Sequence, residues 1–155
     1  MKLTSFEYSR MKFMEWCESQ SEVQLIADLS NQDSEMQCLL DNFGIDALIL
    51  YRGKKKTVQY RVRRPNKLGY GDVTVRRLSM GQNEDRSYKM RNVAFFIYIT
   101  PDWWVILDTI FIDRVKPYDV NANIDGTDFY CYRIEDLMPY VIWSHRFAKA
   151  GDIKK

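Results

Sequence analysis

A single histidine, His145, and only three cysteines occur in the 155 residues. One imidazole gives little support to a His-centred catalytic triad or a histidine metal cage. Cys17, Cys38 and Cys131 are odd in number and far apart. They form neither a zinc spacing nor a disulfide framework, and a reducing compartment is expected. A P-loop and a dinucleotide fingerprint are both missing. No apolar run is long enough to span a bilayer, so no membrane partner is expected. Glu7, Arg10, Lys12 and Glu15 stand where a signal peptide would need an apolar run, and a cytoplasmic location is expected. No internal repeat or interdomain linker is visible.

What is present suits one globular domain spanning 1–155, with 46% apolar and 28% charged residues. The net charge is only +2, but it is unevenly spread. Residues 1–52 carry 4 basic and 9 acidic residues, residues 53–91 carry 12 and 3, and residues 92–155 carry 7 and 9. A basic middle between acidic ends points to an anionic partner, most simply nucleic acid. A basic face paired with the protein's own acidic ends gives the same count.

Along the chain, residues 5–29 read as helical. Phe6, Phe13, Met14, Trp16 and Cys17 form a stripe that Val23, Ile26 and Leu29 continue after a break near Ser19–Ser21. Asp33 or Ser34 caps a second helix whose apolar stripe is Met36, Leu39, Leu40 and Phe43, and Gly44 ends it. Residues 45–51 read as a strand, Gly53–Lys56 as a turn and 57–63 as a second strand. A basic loop follows, then a strand over 73–78 and a polar loop over 79–87. Two further strands, 93–100 and 103–110, join at Pro101–Asp102. Asp119, Asp125 and Asp128 read as loop residues because they miss the calcium-loop spacing. Residues 134–149 read as a closing amphipathic helix bearing His145, with Pro139 in its first turn. A mixed α+β (α/β) domain is expected, with a central, mostly mixed β-sheet of about five strands flanked by helices.

The informative stretch is GIDALILYRGKKKTVQYRVRR, residues 44–64. Side chains two apart on a strand share a face. Val58, Tyr60 and Val62 therefore take one side, and Gln59, Arg61 and Arg63 the other. This polar row lies beside the strand that opens at Asp46. Phosphodiester hydrolysis with Mg2+ needs hard oxygen ligands, usually only one or two of them protein carboxylates. Asp46 supplies a carboxylate and Gln59 an amide oxygen, while Arg61 can stabilise developing charge. Glu35, in the first turn of the preceding helix, can complete the ligand set or merely complement the helix dipole. Alternation alone also yields a polar, solvent-facing strand row.

The stretch resembles the PD-(D/E)XK nuclease superfamily, the restriction-endonuclease-like fold. The resemblance rests on Asp46 in GID, on Gln59-Tyr60-Arg61 in the next strand, and on the helix before Asp46 carrying Glu35. More widely, GID…VQYRVRR…YGDVTVR, SYKMRNVAFFIYI and DWWVILD resemble phage and bacterial members. The resemblance spans Glu35 to about Asp113, within a nuclease-like core of about 33–113, flanked by the helical N-terminus 5–29 and the C-terminal helix 134–149. It implies a metal-dependent DNA endonuclease using Mg2+ or Mn2+. Asp46 and Gln59 would be the metal ligands, and Asp46, Gln59, Arg61 and Glu35 the catalytic set. Lys54, Lys55, Lys56, Arg63, Arg64, Lys67, Arg76 and Arg77 would contact phosphates, which positions a duplex without reading its sequence. It also implies a homodimer, in a bacterial or phage-infected cell. Two positions depart from the family pattern: Gln59 replaces the usual acid and Arg61 the usual lysine. Arg61 stays protonated and cannot serve as a base, though it can stabilise charge or orient water.

Two rival expectations remain. One is a catalytically inactive accessory factor of phage or mobile-element origin, binding DNA or, through aromatic surface, a protein. The Trp103–Trp104 pair fits this, with one ring buried and the other at the surface for base stacking or a dimer contact. The other is a homo-oligomeric structural domain.

Overall fold

The computed structural model describes residues 5–28, 44–63, 72–78, 87–101, 103–122 and 128–146. Helix α1 spans Ser5–Ser19 and is followed by strand β1, Val23–Asp28. Strands β2 (Ala47–Tyr51) and β3 (Lys54–Val62) form a hairpin, and β4 covers Asp72–Leu78. A 3-10 segment, Ser87–Asn92, leads into β5 (Phe95–Ile99) and β6 (Trp103–Asp108). Helix α2 (Phe111–Arg114), strands β7 (Asp119–Ala122) and β8 (Asp128–Arg133), helix α3 (Ile134–Leu137) and strand β9 (Val141–Arg146) complete the described chain.

The protein is a mixed α+β structure built on a six-stranded sheet of order β1-β2-β3-β5-β6-β9. Its pairs are antiparallel except β3 with β5, which run parallel from Val58↔Phe95 to Val62↔Ile99. A second sheet has the order β4-β8-β7. Two apolar clusters make three layers. Phe13, Trp16 and Cys17 of α1 pack on Ala47, Ile49, Val58, Phe95, Ile97 and Ile99. On the opposite face, Phe96, Tyr98, Val105 and Leu107 pack against Val73 and Val75 of β4 and Tyr132 of β8. Both faces of β5 are therefore covered, and all five of its residues are buried. Its uninterrupted apolar run FFIYI is what a strand buried on both sides requires.

The hairpins follow their local sequences. Arg52 and Gly53 have φ of +52° and +80°. Two successive left-handed residues suit the tight turns that match strand twist. This puts Lys54–Lys56 at the start of β3 rather than in the turn expected over Gly53–Lys56. At the β5–β6 connection, the Thr100 hydroxyl accepts from Trp103 N at 3.0 Å and donates to Trp103 O at 2.9 Å.

Several expected elements are corrected. Helix α1 stops at Ser19, whose hydroxyl donates to Trp16 O at 2.7 Å. Residues 23–28 are an edge strand on β2, not a continuation of helix. Val23 and Leu25 face the α1 layer while Gln24 and Ile26 are exposed, so the operating period is two. At the other end, the helix stops after Leu137, and Pro139 lies in a short 3-10 turn over Met138–Tyr140. Val141–Arg146 pairs with β6, which places His145 opposite Trp104 on a strand. Asp119 and Asp128 lie in β7 and β8, not in loop. The strand over 72–78 belongs to the second sheet, so the main sheet has six strands, two of them from segments read as helix. The expected second helix over 34–43, with Glu35, lies outside the described residues.

Phe13 anchors the helical layer. It is fully buried and stacks on Tyr60 with ring centroids 4.0 Å apart and planes 1° from parallel. Arg10 Nε adds a 2.8 Å bond to the nearly buried Asp28 carboxylate of β1. Phe13→Ala should cost about 3–5 kcal/mol in urea-unfolding free energy, the usual scale for emptying an aromatic site. A loss under about 1 kcal/mol would contradict the packing of α1. Beside Phe13, burial pushes the Cys17 thiol from 9.0 up to about 12, with the negative charges of Asp28 and Glu18 adding to the effect. The folded state then holds a proton that the unfolded chain gives up. This contribution is intact below pH 9 and is lost as pH rises towards about 12. Cys17→Ala should flatten the fall in stability over that window relative to the unsubstituted chain; an unchanged slope would contradict the burial of the thiol.

Candidate active site

Asp46 and Gln59, two of the sequence-predicted site residues, lie where the β2–β3 pairing ends. The last paired residues are Ala47 and Val58. One step beyond, Asp46 N donates to Val58 O at 2.9 Å. The Asp46 carboxylate then accepts from Tyr60 N through Oδ2 at 3.1 Å. Asp46 thus grips the backbone on both sides of Gln59. Gln59 reaches back, its Nε2 donating to Gly44 O at 3.1 Å. The two proposed metal ligands therefore lie at one corner, Asp46 tied to β3 and Gln59 to the Gly44 carbonyl just before Asp46.

Gly44 makes the corner possible. It is buried with φ +86°. A Cβ there would stand 2.9 Å from Lys89 Cβ and 3.2 Å from Gln59 Nε2. Lys89, half-buried in the Ser87–Asn92 segment, is thus pressed against the backbone that carries Asp46. Sequence reasoning gave Lys89 no role, because its approach depends on a tertiary contact. The segment is held by Arg91, whose Nε and Nη2 bond Asp113 Oδ1 of α2 at 2.7 and 2.6 Å. That hydrogen bond holds the Asp113 carboxyl below its usual range.

The remaining predicted residues scatter. The row Gln59, Arg61, Arg63 does share one face of β3, but the second sheet covers Arg61 and Arg63. The Arg61 guanidinium lies over the Phe129 ring of β8 at 4.5 Å. Arg63 Nη1 donates to Thr74 Oγ1 and Tyr98 Oη, both at 3.0 Å, in the layer between the sheets. Lys54 and Lys55 are exposed, and Lys56 sits with its ammonium 5.5 Å from the Phe95 ring. Lys55 and Arg63 are about 26 Å apart along the strand at roughly 3.3 Å per residue. One short phosphate patch therefore does not contain both. Arg76 and Arg77 lie on β4, paired with β8. Arg64, Lys67 and Glu35 fall outside the described residues.

The donor set at the corner consists of one carboxylate and one amide, both hard oxygen donors. Among the described residues, no three acidic, histidine or cysteine side chains converge. Such a set suits Mg2+, which takes few protein ligands and completes its octahedron with water and phosphate oxygens. It contains neither the cysteine thiolates nor the histidine nitrogens that make up structural zinc sites. Among the described residues, no helix is long and apolar enough to cross a membrane.

Compared with protein-family models, curated proteins and solved structures, the chain matches no family, protein or fold.

Gly44→Ala should destabilise the protein by at least about 1 kcal/mol, since it combines a disfavoured φ with a contact that forces Lys89 to shift. A neutral result in thermal or urea unfolding would contradict the close approach of Lys89.

Proposed function

We propose that the protein is a metal-dependent DNA endonuclease of the restriction-endonuclease-like type, with the corner of Asp46 and Gln59 as its phosphodiester site. The observation that carries this reading is the anchoring of both side chains beside one strand end, Asp46 to Tyr60 N and Gln59 to Gly44 O. Preorganised ligands cost no further ordering when an ion binds. Asp46 and Gln59 would hold Mg2+ or Mn2+, with Glu35 assisting. A bound ion would polarise a phosphoryl oxygen and acidify a water. Arg61, kept charged, would stabilise the charge on phosphate from beneath. Lys54 and Lys55 would supply exposed phosphate contacts at the far end of the hairpin, with Lys56 beside them. The resemblance extends to action as a homodimer in the cytoplasm of a bacterial or phage-infected cell.

A second reading, a DNA-binding relative without the chemistry, is favoured by the placement of Arg61 against Phe129. The cation is already engaged where the nuclease reading needs it near a phosphate.

The test is incubation with supercoiled and linear DNA in Mg2+, Mn2+ or EDTA. Divalent-dependent nicking should fall on the order of 100-fold or more in Asp46→Ala, the scale on which removing charge stabilisation acts. Cleavage that survives the substitution would sink the site. A salt-sensitive gel shift without cleavage would establish the second reading. In either case, Lys54→Gln and Lys55→Gln should each reduce the slope of log affinity against log salt by about 0.9. An unchanged slope would remove the hairpin from the DNA contact.

A further inference from the structure

A different part of the molecule offers a second binding site. Between α1 and the far ends of β3, β5 and β6 lies a cavity of about 270 Å³. Trp104, half-exposed beside the buried Trp103, lines it together with Tyr8 of α1. Val62 and Ile99 give it an apolar floor, and Arg63 closes the strand end. Lys12 and Glu15 stand at the helix side, 3.6 Å apart, with the Lys12 ammonium 5.8 Å from the Tyr8 ring. The wall beneath is fixed, because Thr100 is bonded both ways to Trp103.

We infer that this cavity binds one nucleotide, its base against Trp104 and Tyr8 and its phosphate at Lys12. The volume is small for a drug-sized ligand, which commonly needs about 300–1,000 Å³, and is enough for one flat heteroaromatic ring. Aromatic rings hold bases by stacking without regard to sequence. A neighbouring ammonium suits the phosphate, and the Glu15 carboxylate can accept from an exocyclic amine or ring N–H. A purely apolar guest would leave this ion pair unused. The nucleotide can come from the unpaired part of a DNA strand or from a free mononucleotide; the recognition chemistry is the same. The inference does not depend on metal chemistry at Asp46, since neither Asp46 nor Gln59 lines the cavity.

The experiment measures binding of the full chain in EDTA, so that no cleavage intervenes. The probes are a labelled thymidine oligomer followed by fluorescence anisotropy, with thymidine 5′-monophosphate, inorganic phosphate and N-acetyltryptophanamide as competitors. The oligomer should bind, and Trp104→Leu should weaken it about tenfold, with Trp104→Phe intermediate. Lys12→Gln, a change at the helix surface, guards against misfolding of the tryptophan variant and should also weaken binding. Competition by the mononucleotide identifies a free nucleotide as a sufficient ligand, and its failure to compete assigns the site to a strand; both support the inference. The inference is overturned if the oligomer and the mononucleotide both fail to bind. It is equally overturned if folded Trp104→Leu and Lys12→Gln bind normally, or if inorganic phosphate or the tryptophan amide displaces the oligomer where the mononucleotide does not.

Discussion

From Val58 to Val62, strand β3 carries a layer on each side, and this constraint shapes the rest of the molecule. On one side Val58, Tyr60 and Val62 support α1 through the Phe13–Tyr60 stack. On the other side Arg61 and Arg63 meet the second sheet and Gln59 meets the Gly44 backbone. A polar row placed under another layer must find partners, because desolvated polar groups without them are costly. Each member has one: a backbone carbonyl for Gln59, an aromatic face for Arg61 and two hydroxyls for Arg63. The parallel pairing with β5 then joins the two hairpins into one sheet and brings Phe96 and Tyr98 onto the covered side.

The same constraint decides what the candidate site can be. The covering sheet leaves Asp46 and Gln59 at the end of the β2 pairing, where backbone and side chains interlock. Gly44 lets the Lys89 segment close in on that corner. A site of this kind is small, oxygen-rich and fixed in place. The surface lysines of the hairpin lie at the opposite end of β3 from Arg63, so a duplex engaging both ends would have to run along the strand rather than across it.

Much of this was legible in the sequence, and the limits are physical. The hairpin 47–62 and the β5–β6 hairpin are written in local alternation and turn residues, and those depend on near neighbours. Alternation also shows that Gln59, Arg61 and Arg63 share a face, but it cannot show what lies over that face. Residues 23–28 and 141–146 are short and apolar, and such runs suit helix or strand alike until a neighbouring strand offers its edge. Val23, Ile26 and Leu29 mimic a helical stripe, while among the described residues of β1 it is Val23 and Leu25 that pack on the core. Asp119 and Asp128 read as loop because β7 and β8 draw their stability from pairing with each other and, for β8, with β4, not from propensity. Lys89 was invisible for the same reason.

The central claim, that the corner of Asp46 and Gln59 holds a divalent ion, is tested most directly by titrating Mn2+ into isotope-labelled protein and following amide line widths by NMR. Tyr60 N–H, bonded to the Asp46 carboxylate, and the Gln59 side-chain amide report on the two ligands. The account predicts that these signals broaden first, at low Mn2+, and recover on addition of excess Mg2+. Sharp Tyr60 and Gln59 signals while others broaden, or no broadening anywhere, would contradict it.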